Sequence, residues 1–230
     1  MPGDRSSAAI RRRDALARIG AITALAARIP SAHAASASPA CVVRPAQTEG
    51  PFFVDRALER SDIRDGVEGA PLRLAFNVSR IRGATCAALA GARVDVWHCD
   101  AAGRYSGVDG RTSTAGQRFL RGSLLTDADG AVRFVTVYPG WYRGRAVHIH
   151  FKIRATDGGG QRREFTSQLY FDDALSRRVF AAAPYASRGQ QWMRNAEDFI
   201  YRDGGAQLML APRADDAGYD AAFAVALAMR

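Results

Sequence analysis

The chain has 230 residues, enough for one substantial domain plus extensions, and 47% of them are hydrophobic, with no stretch after the N-terminal region apolar enough to span a membrane. The net charge of +9 overstates its basicity, because residues 1–34 hold six arginines and two aspartates and the remainder carries +5 with no basic cluster. That excludes a nucleic-acid partner as the first reading and favours anionic aromatic molecules as ligands.

In chain order, residues 10–16 are basic, an alanine-rich apolar stretch follows, and Ser31-Ala32-His33-Ala34 supplies an A-x-A cleavage pattern. Consecutive arginines before a weak apolar region predict a twin-arginine-type signal peptide over 1–34, hence export to the periplasm or beyond and no membrane attachment of the mature chain. The rival is an arginine-rich leader without an export role. Residues 35–47, rich in Ala, Ser and Pro, predict a flexible linker, and 48–230 the folded domain. Cys41, Cys86 and Cys99 show no CxxC spacing. If two of them pair, Cys41 with Cys99 is the preferred bridge, since a strand over 92–98 would hold Cys86 and Cys99 about 20 Å apart.

Short runs with strand-compatible patterning cover 72–81, 92–98, 122–126, 131–137, 147–154, 163–171, 206–210 and 219–229. Asp127-Ala128-Asp129-Gly130 and Asp157-Gly158-Gly159-Gly160 read as hairpin turns; the former lacks the further ligand positions of a calcium loop. One short helix is expected over 174–183, stopped before Pro184. Many short strands joined by close turns predict an all-β fold, an antiparallel β-sandwich with short helices and long active-site loops.

The chemistry concentrates in Trp141-Tyr142-Arg143-Gly144-Arg145-Ala146-Val147-His148-Ile149-His150-Phe151. Period-two alternation from Val147 to Ile153 places His148 and His150 on one strand face, about 7 Å apart along the chain, where both rings can meet one ion. An isolated His-x-His is more often a solvated strand face. Structural zinc would want cysteines, and nothing acidic lies between Asp129 and Asp157 to complete a two-histidine, one-carboxylate site. The nearby oxygen donors are phenols. A phenol ionises near pH 10, so a strongly acidic cation is needed to hold it as phenolate at neutral pH, and ferric iron suits that best. Tyr142 is one candidate, with Tyr138 competing; Tyr105, in the turn after the strand ending at Trp97-His98, is another. His98 beside Trp97 reads as a packed or surface histidine, and Glu49 as a rim carboxylate or a solvated one.

Trp97-x-x-Asp100-x-x-Gly103-x-Tyr105-Ser106, Pro139-Gly140-x-Tyr142, Arg145-x-x-His148-x-His150-Phe151 and Gln168-Leu169-Tyr170-Phe171 occur in this order. The combination resembles the intradiol ring-cleavage dioxygenases, the family of protocatechuate 3,4-dioxygenase and catechol 1,2-dioxygenase, over roughly Thr48 to Tyr170. The resemblance implies a non-haem Fe(III) cofactor with Tyr105, Tyr142, His148 and His150 as ligands, and Tyr142, Arg145 and Gln168 as catalytic residues. It implies cleavage of a catechol between its hydroxylated carbons by O2, giving a cis,cis-muconate-type dicarboxylic acid, in the degradation of aromatic compounds. Tyr142 would leave the metal and accept a substrate proton, Tyr105 would stay, Arg145 would stabilise the electron-rich ring, and Gln168 would orient intermediates.

Two departures matter. Only six residues separate Tyr142 from His148, so a longer substrate-pocket insertion seen in protocatechuate enzymes is absent, and the mouth is expected to be open and tolerant. No helical N-terminal dimerisation region is present; a homo-oligomer stays compatible with the sequence. With Gln47-Thr48-Glu49-Gly50-Pro51-Phe52-Phe53 opening the domain, the chain looks most like compact, exported, single-domain members. The alternative is a secreted non-catalytic β-sandwich module binding aromatic or metal-chelating ligands. A zinc hydrolase using His148 and His150 lacks a third ligand and a base nearby.

Overall fold

The computed structural model describes residues 41–56, 58–109 and 113–229. The expected signal peptide and residues 35–40 lie outside them. Among the described residues nine strands form two sheets: β1 (Pro71–Arg82), β2 (Thr85–Ala88), β3 (Arg93–Trp97), β4 (Arg121–Leu125), β5 (Ala131–Val137), β6 (His148–Thr156), β7 (Arg162–Tyr170), β8 (Arg213–Asp215) and β9 (Gly218–Ala228).

Strand β1 organises the first sheet. Its first half pairs with β5 and its second with β2, both antiparallel, while β9 lies parallel to it on the other side and carries β8 on its far edge. The second sheet, in the order β4-β3-β6-β7, is antiparallel throughout. The sandwich expected from the sequence is therefore present, with one parallel pairing. Alternation explains the core: Leu72, Leu74, Phe76 and Val78 of β1 meet Val94 and Val96 of β3 and Ile149, Phe151 and Ile153 of β6. The Phe76 ring sits 5.2 Å from Phe151 and 6.3 Å from Phe223. Each such side chain contributes about 1.5–3 kcal/mol by leaving water.

Several local expectations change. Residues 206–210 are not a strand: Gly205–Leu208 forms a 3-10 turn, and Met209 makes an isolated bridge to Tyr170. The helix α1 is Asp173–Val179, shorter than 174–183, capped by the Asp172 side chain; a second short helix, α2 (Phe199–Arg202), is capped by Asp198. The Asp127–Gly130 turn exists, but β4 and β5 belong to different sheets, so it crosses between layers and is no hairpin. The Asp157–Gly160 turn does join the antiparallel pair β6 and β7.

Residues 41–47 do not form a free linker. Cys41 is bonded to Cys86 rather than to Cys99, which is free and buried. The Val42 carbonyl accepts from Ala226 N and Arg44 Nε donates to the Ala224 carbonyl, so this segment runs along β9 and brings Cys41 to the β1–β2 end of the sheet. It then crosses to the second sheet, where Gln47 N donates to the Thr166 carbonyl of β7, and proceeds over β6, β3 and β4 until Leu58 O accepts from Ser123 N. This strap roofs the outer face of the second sheet. His148, His150 and Lys152, polar by alternation, are consequently buried and not solvated.

Candidate metal centre

His148 opens β6, and His150 stands opposite Trp97 of β3 and Gln168 of β7. Trp97 lies flat against His150, ring centroids 5.0 Å apart and planes 5° from parallel, and Phe53 of the strap packs on Trp97 at 4.8 Å. The phenols arrive on two loops, residues 98–120 after β3 and 138–147 between β5 and β6. These loops nest through two glycines. A Cβ on Gly140 would run into the Asp100 and Ala101 carbonyls, and one on Gly103, whose φ is +76°, into the Trp141 carbonyl. Asp100 closes its own turn by accepting from Arg104 N at 2.8 Å and from the Arg104 guanidinium.

The result is a convergence of four donor atoms. His148 Nε2 and His150 Nε2 are 3.0 Å apart, with Tyr142 Oη 3.2 Å and Tyr105 Oη 3.4 Å from His148 Nε2. Ligands bonded to one ion at about 2.1 Å, with angles near 90–110°, stand about 3.0–3.4 Å from each other. The protonation pattern agrees. His148 Nδ1 lies 2.7 Å from the Ala146 carbonyl, which can only accept, so the proton is on Nδ1 and Nε2 offers a lone pair, as in histidine ligands oriented by a second hydrogen bond. His150 Nδ1 is buried without a partner, leaving Nε2 as its one engaged nitrogen. No group of three or more His, Cys, Asp or Glu suited to a metal occurs among the described residues, so the phenols are needed to complete a ligand set.

Burial governs the charges. It lowers His148 to about 3, reinforced by Arg145, and pushes His150 well below the usual imidazole range, reinforced by His148. It raises Tyr142 to about 12 against the pull of Arg145, and Tyr105 well above the usual phenol value. All four groups are thus neutral on their own near pH 7. A multivalent cation among them reverses the balance for the phenols, which is the donor chemistry such an ion requires.

Residues 48–193 match the family model described as dioxygenase, well over half of the chain. The fold superposes on an intradiol ring-cleavage dioxygenase from Tetranychus urticae with a TM-score of 0.71 and 29% identity, covering 81% of this chain and 94% of that one. The chain belongs to the intradiol dioxygenase family. Within this family it is similar to a chlorocatechol 1,2-dioxygenase of Pseudomonas putida, 31% identical over 54% of this chain and 52% of the relative. It also resembles a protocatechuate 3,4-dioxygenase beta chain of Burkholderia cepacia, 37% identical over 41% of this chain and 44% of the relative. The matches thus span about half the length of these curated relatives.

In this intradiol dioxygenase family member, Arg145 is held from three sides. Its Nε donates to Asp198 Oδ2 at 2.9 Å, Nη2 donates to Gln168 Oε1 at 2.5 Å, and Nη1 lies 3.5 Å from His148 Nε2. Burial works against its charge, but Tyr142 and Asp198 outweigh that and raise its pKa. Gln168 is fully buried, and its Nε2 donates to the Thr48 carbonyl of the strap at 2.9 Å. It therefore meets Arg145 and not the four-donor cluster.

The sequence reading missed Asp198. It is fully buried and accepts from Arg145, from Ala146 N at 2.9 Å and from Ile200 N at 2.8 Å. Ala146 is the residue whose carbonyl fixes the His148 tautomer, so one carboxylate braces both the arginine and the backbone beside the first histidine. Its only sequence signal is an Asp before a short helix. Tyr170, which donates to Gln47 Oε1 at 2.9 Å, and Lys152, ion-paired with Glu49 at 2.6 Å, also anchor the roof. Tyr138 sits elsewhere, its hydroxyl 2.8 Å from Ser176 Oγ, which leaves Tyr142 as the phenol at the cluster. His98 is a satisfied core residue, with Nδ1 donating to the Cys99 carbonyl and Nε2 accepting from Thr136.

Proposed function

We propose that this chain is a non-haem Fe(III) dioxygenase that cleaves a catechol-type ring between its hydroxylated carbons, inserting both atoms of O2 to give a cis,cis-muconate-type dicarboxylic acid. The observation that carries this reading is the convergence of His150 Nε2 and the Tyr142 and Tyr105 hydroxyls on His148 Nε2, at 3.0, 3.2 and 3.4 Å. Tyr105, Tyr142, His148 and His150 would hold ferric iron, which when bound would supply the Lewis acidity that lowers the pKa of both catechol hydroxyls and makes the ring reactive toward O2.

The remaining work belongs to the protein. Tyr142 accepts a catechol proton, because Arg145 stands beside it and favours its anion. Tyr105 is the more deeply buried phenol, stacked on Phe52 at 4.4 Å, and keeps its place. Arg145 directs its Nη1 toward the cluster and stabilises negative charge building on the substrate, in a setting from which Phe52 and Trp97 exclude water. Gln168 and Asp198 hold the guanidinium in that orientation. Export of the mature protein through the 1–34 leader, for the degradation of aromatic compounds outside the cytoplasm, belongs to the same proposal.

The test is a visible absorption spectrum of iron-loaded protein, before and after anaerobic catechol, followed by product analysis under labelled O2. A red to burgundy tyrosinate band that moves to longer wavelength with catechol, and two labelled oxygen atoms in the diacid, are expected. A colourless iron-bound protein removes the phenols from the ligand set and turns the reading to a non-catalytic binding module.

A further inference from the structure

Four large hydrophobic side chains are more than half exposed among the described residues: Val43, Leu125, Trp192 and Phe199. The two aromatic ones fall within eight residues of each other. That segment borders the Tyr142 loop, since the Arg143 guanidinium lies 4.1 Å over the Trp192 ring and Asp198, just before Phe199, holds Arg145. Beside it, Arg188 lies 4.4 Å over Trp141, whose indole N–H donates to the Gly189 carbonyl at 3.2 Å. Segments 141–143 and 188–192 are thereby zipped into one wall, beginning a single residue from a phenol of the donor cluster.

The charges on this wall are unusual for their surroundings. Arg104, Arg145 and Arg194 each have a carboxylate, in Asp100, Asp198 and Glu197. Arg143 and Arg188 form no ion pair among the described residues and rest on indole rings instead. An indole-backed guanidinium keeps its planar fork of N–H donors for a carboxylate, and a half-exposed indole offers a face to a planar group.

We propose that this wall is a substrate subsite that receives a planar, anionic extension of the catechol, such as an alkenyl or aryl carboxylate. The proposal rests on the ring-cleavage reading and adds its substrate class. With the two oxygens of a catechol at the donor cluster, a substituent on the opposite edge of the ring reaches outward. Trp192 stacks on the extension and Arg143 takes its carboxylate, with Arg188 adding to the local positive potential.

The experiment compares kcat/KM for 3,4-dihydroxycinnamate and for 4-methylcatechol, which places a neutral methyl group at the same ring position. The iron-loaded full chain should favour the cinnamate by about tenfold or more, and that ratio should fall toward one in Trp192→Leu and in Arg143→Gln. A ratio left unchanged by both substitutions overturns the subsite. As a second measurement, 4-methoxycinnamate, which lacks the diol, is titrated against the iron-free full chain. It should quench tryptophan fluorescence in the parent and not in Trp192→Leu. Quenching without cleavage of either catechol sinks the ring-cleavage reading and leaves an anionic-aromatic site standing. Cleavage of both catechols at equal efficiency, with no quenching, does the reverse.

Discussion

Asp198 Oδ2 accepts from both Arg145 Nε and Ala146 N, each at 2.9 Å, from a position with no solvent exposure. Replacing it with Ser keeps a cap for α2 but withdraws the partner of a largely buried guanidinium. Asp198→Ser is expected to cost about 3–5 kcal/mol by denaturant unfolding, because the arginine charge is left uncompensated. Adding Arg145→Leu should recover part of that stability. It should not recover turnover, which is expected to fall about 100-fold in Asp198→Ser through misplacement of the arginine and to stay low once the arginine is removed. A double variant as unstable as the single one would show that the ion pair is not the source of the loss.

The two phenols should respond differently. On the ring-cleavage reading, Tyr142→Phe removes the proposed proton acceptor and one proposed iron ligand, so catechol cleavage is expected to fall by about 10²-fold or more while iron still binds. Tyr105→Phe removes the buried donor next to Phe52, and iron retention after dialysis against a chelator is expected to suffer more than in Tyr142→Phe. Metal analysis beside steady-state rates separates the two effects.

His98 supplies a pH signature of the fold. Burial lowers it to about 4, whereas an unfolded chain titrates it near 6.5. As pH falls through 6.5, the unfolded state takes up a proton that the folded state refuses, so the stability present above 6.5 is lost down to about pH 4. The contribution is about 1.4 kcal/mol per pH unit inside that window. Urea unfolding of iron-free His98→Gln should therefore show a pH slope shallower by one proton. An unchanged slope would place His98 in an accessible setting.

The bond between Cys41 and Cys86 closes a loop with a sequence separation of 45. On loop entropy alone, Cys41→Ser with Cys86→Ser should lower stability by about 4 kcal/mol. Thermal unfolding of the oxidised parent, the reduced parent and the double variant checks this, with the last two expected to coincide.

The sequence exposed the site better than the frame around it. Tyr105 and Tyr142 could be named because each stands in a short motif whose turn residue, Gly103 or Gly140, is demanded by the close approach of two loops, and His148 and His150 because period-two alternation puts them on one strand face. Asp198 has no such motif. It reaches Arg145 across 53 positions, a contact that only tertiary folding creates. Strands β2 and β8 were invisible for a related reason: Thr85–Ala88 and Arg213–Asp215 are four and three residues long and have no hydrophobic alternation, existing only because β1 and β9 offer them an edge. The Cys41 pairing failed because residues 41–47 were read by composition, while their backbone is engaged by β9 and β7.

The strap carries a consequence for how the donor cluster is reached. Gly50 sits against the His150 ring, Thr48 holds Gln168, and the same stretch begins at the disulfide. The disulfide therefore tethers the start of the segment that roofs the histidines. On the ferric-iron reading, a chelator should strip the metal faster from the reduced protein than from the oxidised one.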